Sequence, residues 1–263
     1  MLPRRHKRQQ EVLIVNSCRP YRRRWTLIAA LTALAVVCGC QSRLISKNQE
    51  IQLGQDAGDD FERKHDRDRD PARNALVNSV GANIERSAEP PDYPYDFRII
   101  ASNQPNAAAF PGGRIYIFRG MIEAVGTDRD KIAWILGHET AHVARQHAVR
   151  RIERQLGYEA IIGLIFKKKS AARIASTVGS LVLLDYGRDN EFEADRMGML
   201  YTHNAGYDPT AAVAVLKLFQ EIQRREPNDF AVMFATHPGN QDRINHARGY
   251  IEKMGWNGAY YTP

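Results

Sequence analysis

The 263-residue sequence predicts an α+β fold, mostly α, with one long helix lying beside a small β-sheet. Three observations carry that prediction. Apolar residues recur at helical spacing through several long stretches. Only two short runs, 97–100 and 114–118, are dense enough in β-branched and aromatic residues to read as strands. Proline and glycine gather between those runs rather than inside the helical stretches.

The elements follow in order. The mixed charge of 56–70 reads as a solvated helix or a linker. Leu76, Val77, Val80 and Ile84 mark one face of a helix over 72–87, and Pro90, Pro91 and Pro94 end it. Asn106 and Pro111-Gly112-Gly113 lie between the strands, in a turn-rich stretch open to close backbone approach. Thr127 with Asp130 three residues on reads as a capping box. It opens a helix to about Gln155, with Ile132, Ile135 and Leu136 inward. Two apolar pieces, 160–166 and 171–184, flank Lys167-Lys168-Lys169; each falls short of the about 20 residues of a bilayer span and reads as a buried or flap-like helix pair. Asp189 caps a helix to about His203, and Tyr207-Asp208-Pro209 opens another to about Arg225.

The formal net charge of +7 points at first to an anionic partner. Its distribution removes that reading: eight Lys/Arg and one acid precede Cys40, and the remainder holds equal numbers of bases and acids. No nucleic-acid partner is expected. Arg22-Arg23-Arg24 precedes an uncharged apolar run over 25–37, the pattern of a signal peptide. Val37-Cys38-Gly39-Cys40 resembles the bacterial lipobox, which implies cleavage before Cys40, lipidation of that residue and anchoring by several acyl chains. The expected organisation is a signal peptide over 1–39, a polar tether over 40–50 and one domain over 51–263. Gln41 after the lipidated cysteine favours the periplasmic side of the outer membrane. With only Cys18, Cys38 and Cys40 present, the mature domain has neither a disulfide nor cysteine ligands for a metal.

One motif carries sharp chemistry. His138-Glu139-Thr140-Ala141-His142 places two imidazoles four residues apart on a helix, about 40° apart in azimuth and one turn apart in height. They can share one zinc ion, and Glu139 beside them can serve as base toward water at the metal. A third ligand must come from elsewhere. His147 lies nine residues from His138, about 180° round an unbroken helix, and is expected to face away. Glu191 is the better candidate. It opens Glu191-Phe192-Glu193-Ala194-Asp195, a second pair at i, i+4, in which one carboxylate can bind metal while the other accepts a hydrogen bond from a ligand histidine.

These motifs together resemble the HtpX-like and CAAX-prenyl-protease-like zinc metallopeptidases of gluzincin type, especially their periplasmic lipoprotein branch. The likeness runs from about Ile51 to Arg243. It rests on Asn106 with Pro111-Gly112-Gly113, Gly137-His138-Glu139 to His142, Arg188 before Glu191 to Asp195, Gly206-Tyr207-Asp208-Pro209, and Thr236-His237-Pro238 with Arg243. Between Asn106 and Pro111 this chain carries Ala107-Ala108-Ala109-Phe110, a longer step than the family's usual one. The resemblance implies one zinc per chain held by His138, His142 and Glu191, Glu139 as catalytic base, Asp195 behind a ligand histidine, and Glu193 as a bystander. His237 would stabilise the oxyanion or visit the metal in a self-inhibited state. The strand after Pro-Gly-Gly, with Gly112, Gly113, Arg114, Ile115 and Tyr116, would bind substrate by strand addition.

The expected function is that of a zinc endopeptidase clearing misfolded or stalled envelope and outer-membrane proteins. The alternative is an assembly factor that binds such clients beside the outer-membrane assembly machinery, with proteolysis rare or repressed. Prenyl-peptide cleavage is disfavoured, because the multiple spanning helices of the family's membrane members are absent.

Overall fold

A computed structural model describes residues 44–90, 92–166, 178–180, 186–225, 237 and 241–261, with 157–166 described by their backbone alone. Residues 1–43, which carry the expected signal peptide and lipobox, Lys167 to Lys169 and most of 171–184 lie outside the described residues. Among the described residues no helix is long and apolar enough to cross a membrane.

The chain enters through α1 (Lys47–Lys64), opened by a complete capping box between Ser46 and Gln49. This corrects the tether over 40–50, since its last residues are helical and both Ile45 and Glu50 are buried. Leu53, Ala57 and Phe61, spaced four apart, supply the buried face that makes 56–64 a packed helix rather than a linker. Next comes α2 (Pro71–Ser87), capped by Asp70 with proline at its first position; it buries Val77, Val80 and Ile84.

Three strands form the sheet: β1 (Asp96–Ile100), β2 (Ala107–Ala109) and β3 (Arg114–Phe118), in the order β1-β3-β2. β3 pairs parallel to β1, Asp96 facing Arg114, and antiparallel to β2, Ala107 facing Ile117. A 3-10 turn at Pro111–Gly113 joins β2 to β3. Gly112 sits at φ 77°, and a Cβ there would lie 2.4 Å from Ile51 Cα, so α1 seats directly on this turn.

After the short α3 (Arg119–Val125), α4 (Arg129–Ala144) runs through the centre and buries every residue from Ile132 to Val143. Its cap is Asp128, which accepts from the amides of Asp130 and Lys131; the expected Thr127 lies one residue early. The helix also stops short of Gln155. Gln146 adopts φ 56°, and a separate helix, α5 (His147–Phe166), starts at the next residue.

Then follow α6 (Arg188–Asn204), α7 (Ala211–Arg225) and α8 (Gln241–Met254). Asp189 falls in the first turn of α6, with Gly187 at the cap position. α8 is not among the elements expected from periodicity. The most extensive helix contact joins α4 to α6. It is close because glycine faces glycine: a Cβ on Gly137 would lie 2.9 Å from Gly198 O, and one on Gly198 would lie 2.8 Å from His138 N. That approach sets the separation between the two motifs.

Candidate metal centre

The α4–α6 crossing brings His138, His142 and Glu191 together, and His237 joins them from a segment that is otherwise outside the described residues. All four are buried, with donor atoms within 4.8 Å of one another. His138 Nε2 and His142 Nε2 are 3.0 Å apart. Glu191 lies 3.4 Å from His142 Nε2 and 3.6 Å from His138 Nε2. His237 Nδ1 is 3.1 Å from Glu191 Oε1 and 3.4 Å from His138 Nε2.

These separations test the fit of a cation. Four ligands at zinc bond lengths of 2.0–2.1 Å span a tetrahedron with edges of roughly 3.3–3.4 Å, and the contacts just given, 3.0–3.6 Å, bracket that value. Nitrogen lone pairs converging in a buried site repel one another unless a cation or proton lies between them. The two-imidazole, one-carboxylate core is a donor set suited to zinc.

The surroundings orient the donors. His138 Nδ1 lies 3.0 Å from Asp195 Oδ1, so the carboxylate that follows Glu191 by one turn holds the far edge of the ring. Arg243 on α8 binds Asp195 through Nε (2.8 Å) and Nη2 (2.6 Å), and Nη1 reaches Glu191 Oε2 at 2.9 Å. One buried guanidinium thus compensates two buried carboxylates. Burial pushes the Glu191 carboxyl up, but His237 and Arg243 outweigh it and hold the group well below the usual range. Glu139 differs: burial raises its pKa, which suits a base that must also return a proton.

Glu139 Oε2 is buried without a partner among the described residues, and Oε1 lies 3.5 Å from His237 Nε2. Beside it is a cavity of about 20 Å³, room for about one water. Trp134, Ile135, Met121 and Phe219 give this space apolar walls, next to His138, Glu139 and His237.

The substrate strand needs correction. β3 lies between β1 and β2, so both of its hydrogen-bonding edges are occupied and it cannot accept a further strand. Ile115 and Tyr116 are fully buried, and the Tyr116 hydroxyl bonds Glu62 on α1. Arg114 pairs with Asp59 of α1, while Gly112 and Gly113 are buried at the turn. The sheet edge nearest the metal site is β2, which packs on α4. Asn106 O accepts from Phe118 N and Phe110 N donates to Arg114 O, so alternation turns the amides and carbonyls of Ala107 and Ala109 away from β3.

His147 is the second correction. The break at Gln146 swings it back, and its Nδ1 sits 2.9 Å from His142 Nδ1. Glu193, expected as a bystander, contacts its other nitrogen at 3.3 Å. Burial lowers the His147 pKa to about 4. Tyr186 is a further neighbour that no sequence motif singles out: its ring stacks on His142 at 4.2 Å, and its hydroxyl reaches Ala109 O at 3.4 Å.

A family model described as Peptidase family M48 matches residues 71–251, spanning the sheet and every described ligand. The chain belongs to peptidase family M48. This M48 chain is 27% identical over 197 residues to the beta-barrel assembly-enhancing protease of Yersinia pestis, a match covering 70% of this chain and 40% of that protein. It is 29% identical over 150 residues to the mitochondrial metalloendopeptidase OMA1 of Arabidopsis thaliana, covering 56% of this chain and 30% of the relative. The chain spans less than half the length of these relatives. Zinc is the metal of the M48 site, and His138, His142 and Glu191 are the residues that fit it.

Proposed function

We propose that this protein is a zinc-dependent endopeptidase of the bacterial envelope, hydrolysing internal peptide bonds of misfolded or stalled envelope proteins. The observation that carries the reading is the buried donor cluster with a Glu139 oxygen beside it that has no partner among the described residues. Envelope clients are proposed from the name of the beta-barrel assembly-enhancing protease, which shares 26–28% identity with this chain across several bacteria. Anchoring through Cys40 on the periplasmic side of the outer membrane rests on residues 22–41 alone. Cys40→Ser is expected to move the protein from the membrane to the soluble fraction.

His138, His142 and Glu191 would hold the zinc, with His138 oriented by Asp195. A bound zinc ion supplies Lewis acidity, polarising the scissile carbonyl and lowering the pKa of water toward about 7. Glu139 takes a proton from the attacking water and returns it to the amide nitrogen as the C–N bond breaks. The Ala107 amide and carbonyl and the Ala109 amide, turned outward on β2, fix an extended substrate by its main chain, which tolerates varied side chains. His237 stands among the donors and would take the fourth position on a bound zinc, so peptide access would require its withdrawal.

That closure is also the one observation favouring the second reading, an assembly factor with restrained proteolysis. Glu139→Gln separates the two. On the protease reading the variant keeps its zinc and loses roughly 10²–10⁴-fold in cleavage of an unfolded outer-membrane protein. Undiminished client handling by the variant in cells supports the assembly factor.

A further inference from the structure

We infer that His147 is a positioning residue for the metal ligand His142, itself fixed by Glu193 on one side and by a Gln146–Glu50 link on the other. The inference rests on the metal-centre reading above.

Donor and acceptor accounting leads to it. Two imidazole nitrogens 2.9 Å apart satisfy each other only if one carries a hydrogen and the other a lone pair. The Glu193 carboxylate is an acceptor, 3.3 Å from His147 Nε2, so the His147 hydrogen belongs on Nε2. Nδ1 of His147 then accepts, and Nδ1 of His142 donates to it. The consequence falls on the far side of the His142 ring. Its Nε2 is left as a lone pair aimed at the cluster with His138 Nε2 and Glu191. The two ligand histidines are therefore oriented by different devices: a carboxylate directly for His138, and an imidazole relaying a carboxylate for His142.

The backbone that makes this possible is costly and is held in place. Gln146 is the sole non-glycine residue at positive φ among the described residues. Its side chain is buried and donates to Glu50 Oε2 at 2.6 Å and to the Tyr93 hydroxyl at 2.8 Å. Glu50 in turn accepts from Tyr93 at 3.0 Å and from the Gly112 amide at 3.4 Å. Helix α1 thereby pins the break after α4, and the break aims His147 at His142. On an unbroken helix the same residue would point the other way.

The test uses the full chain, with zinc affinity measured by chelator competition at fixed pH. His147→Leu removes the acceptor and is expected to weaken zinc binding by about 10–100-fold. His147→Asn restores an acceptor near the Nδ1 position and is expected to recover most of the loss. Glu193 is partly exposed, so Glu193→Gln probes the relay without disturbing the core. It is expected to weaken zinc binding by about 3–10-fold. Cobalt-substituted protein gives a second readout. Its visible bands should shift in the Leu and Gln variants, whereas a packing role alone leaves them unchanged. A Leu variant within about threefold of wild type, or an Asn variant no better than Leu, overturns the inference. Wild-type protein that takes up no zinc overturns the metal centre itself, a result distinct from either.

Discussion

Removing the Arg243 charge should destabilise the metal-free protein far more than the zinc form. Arg243 is 2% exposed and sits against Glu191 and Asp195, 1% and 0% exposed, at 2.6–2.9 Å. With Glu139 ionised, the site carries three buried carboxylates against one guanidinium; zinc adds two positive charges and brings the sum to neutrality. Arg243→Met fills the space and removes the charge, leaving His237, 3.1 Å from Glu191, to compensate the buried carboxylates when metal is stripped, with no cation beside Asp195 among the described residues except the His138 ring. Breaking a buried pair in this way costs about 3–5 kcal/mol. For a domain of this size each kcal/mol moves the midpoint by about 2–4 °C, so the chelated variant should melt about 6–20 °C below chelated wild type. The zinc form should lose less, because the ion supplies part of the missing positive charge. Calorimetry with and without chelator reads both numbers. Asp195→Asn added to Arg243→Met should recover part of the loss in the chelated state. A chelated Arg243→Met protein melting within about 2 °C of wild type refutes the charge accounting.

Other outcomes follow from the same geometry. Gly198→Ala places a methyl 2.8 Å from His138 N, and overpacking of about 1–3 kcal/mol should lower the melting midpoint while loosening zinc. N-methylating a peptide substrate at a single amide that pairs with β2 should lower kcat/KM by about 2–13-fold, the value of one hydrogen bond. Equal turnover of every N-methyl isomer would contradict strand addition. His237→Ala should raise cleavage of an unfolded protein, since His237 occupies a donor position. If it instead stabilised the oxyanion, activity would fall by about 10²–10³-fold.

Much of the site is legible in the amino-acid sequence, for a geometric reason. His138 and His142, like Glu191 and Asp195, are separated by one helical turn, so sequence spacing becomes spatial proximity with no tertiary information. The partners that depend on tertiary contact are not legible in this way. Arg243 lies 48 residues from Asp195, and no local pattern says that the two meet. Helical periodicity puts His147 on the wrong face because Arg145-Gln146 contains neither glycine nor proline to mark a break. Gln146, at positive φ, instead bonds through its side chain to Glu50, 96 residues earlier. The sheet misleads through composition. Ala107-Ala108-Ala109 has weak strand propensity and reads as loop, which makes β3 look like an edge when it is the centre. For α1 the signal is present, since Leu53, Ala57 and Phe61 stand at i, i+4, i+8, but the surrounding charge obscures it.

X-ray absorption at the zinc edge, on wild type and Glu191→Ala purified without added metal, tests the centre most directly. Wild type should hold one zinc per chain, with imidazole scattering and nitrogen or oxygen neighbours at about 2.0–2.1 Å. Glu191→Ala should lose the metal on dialysis. A stoichiometric zinc with an unchanged coordination shell in Glu191→Ala would contradict the account.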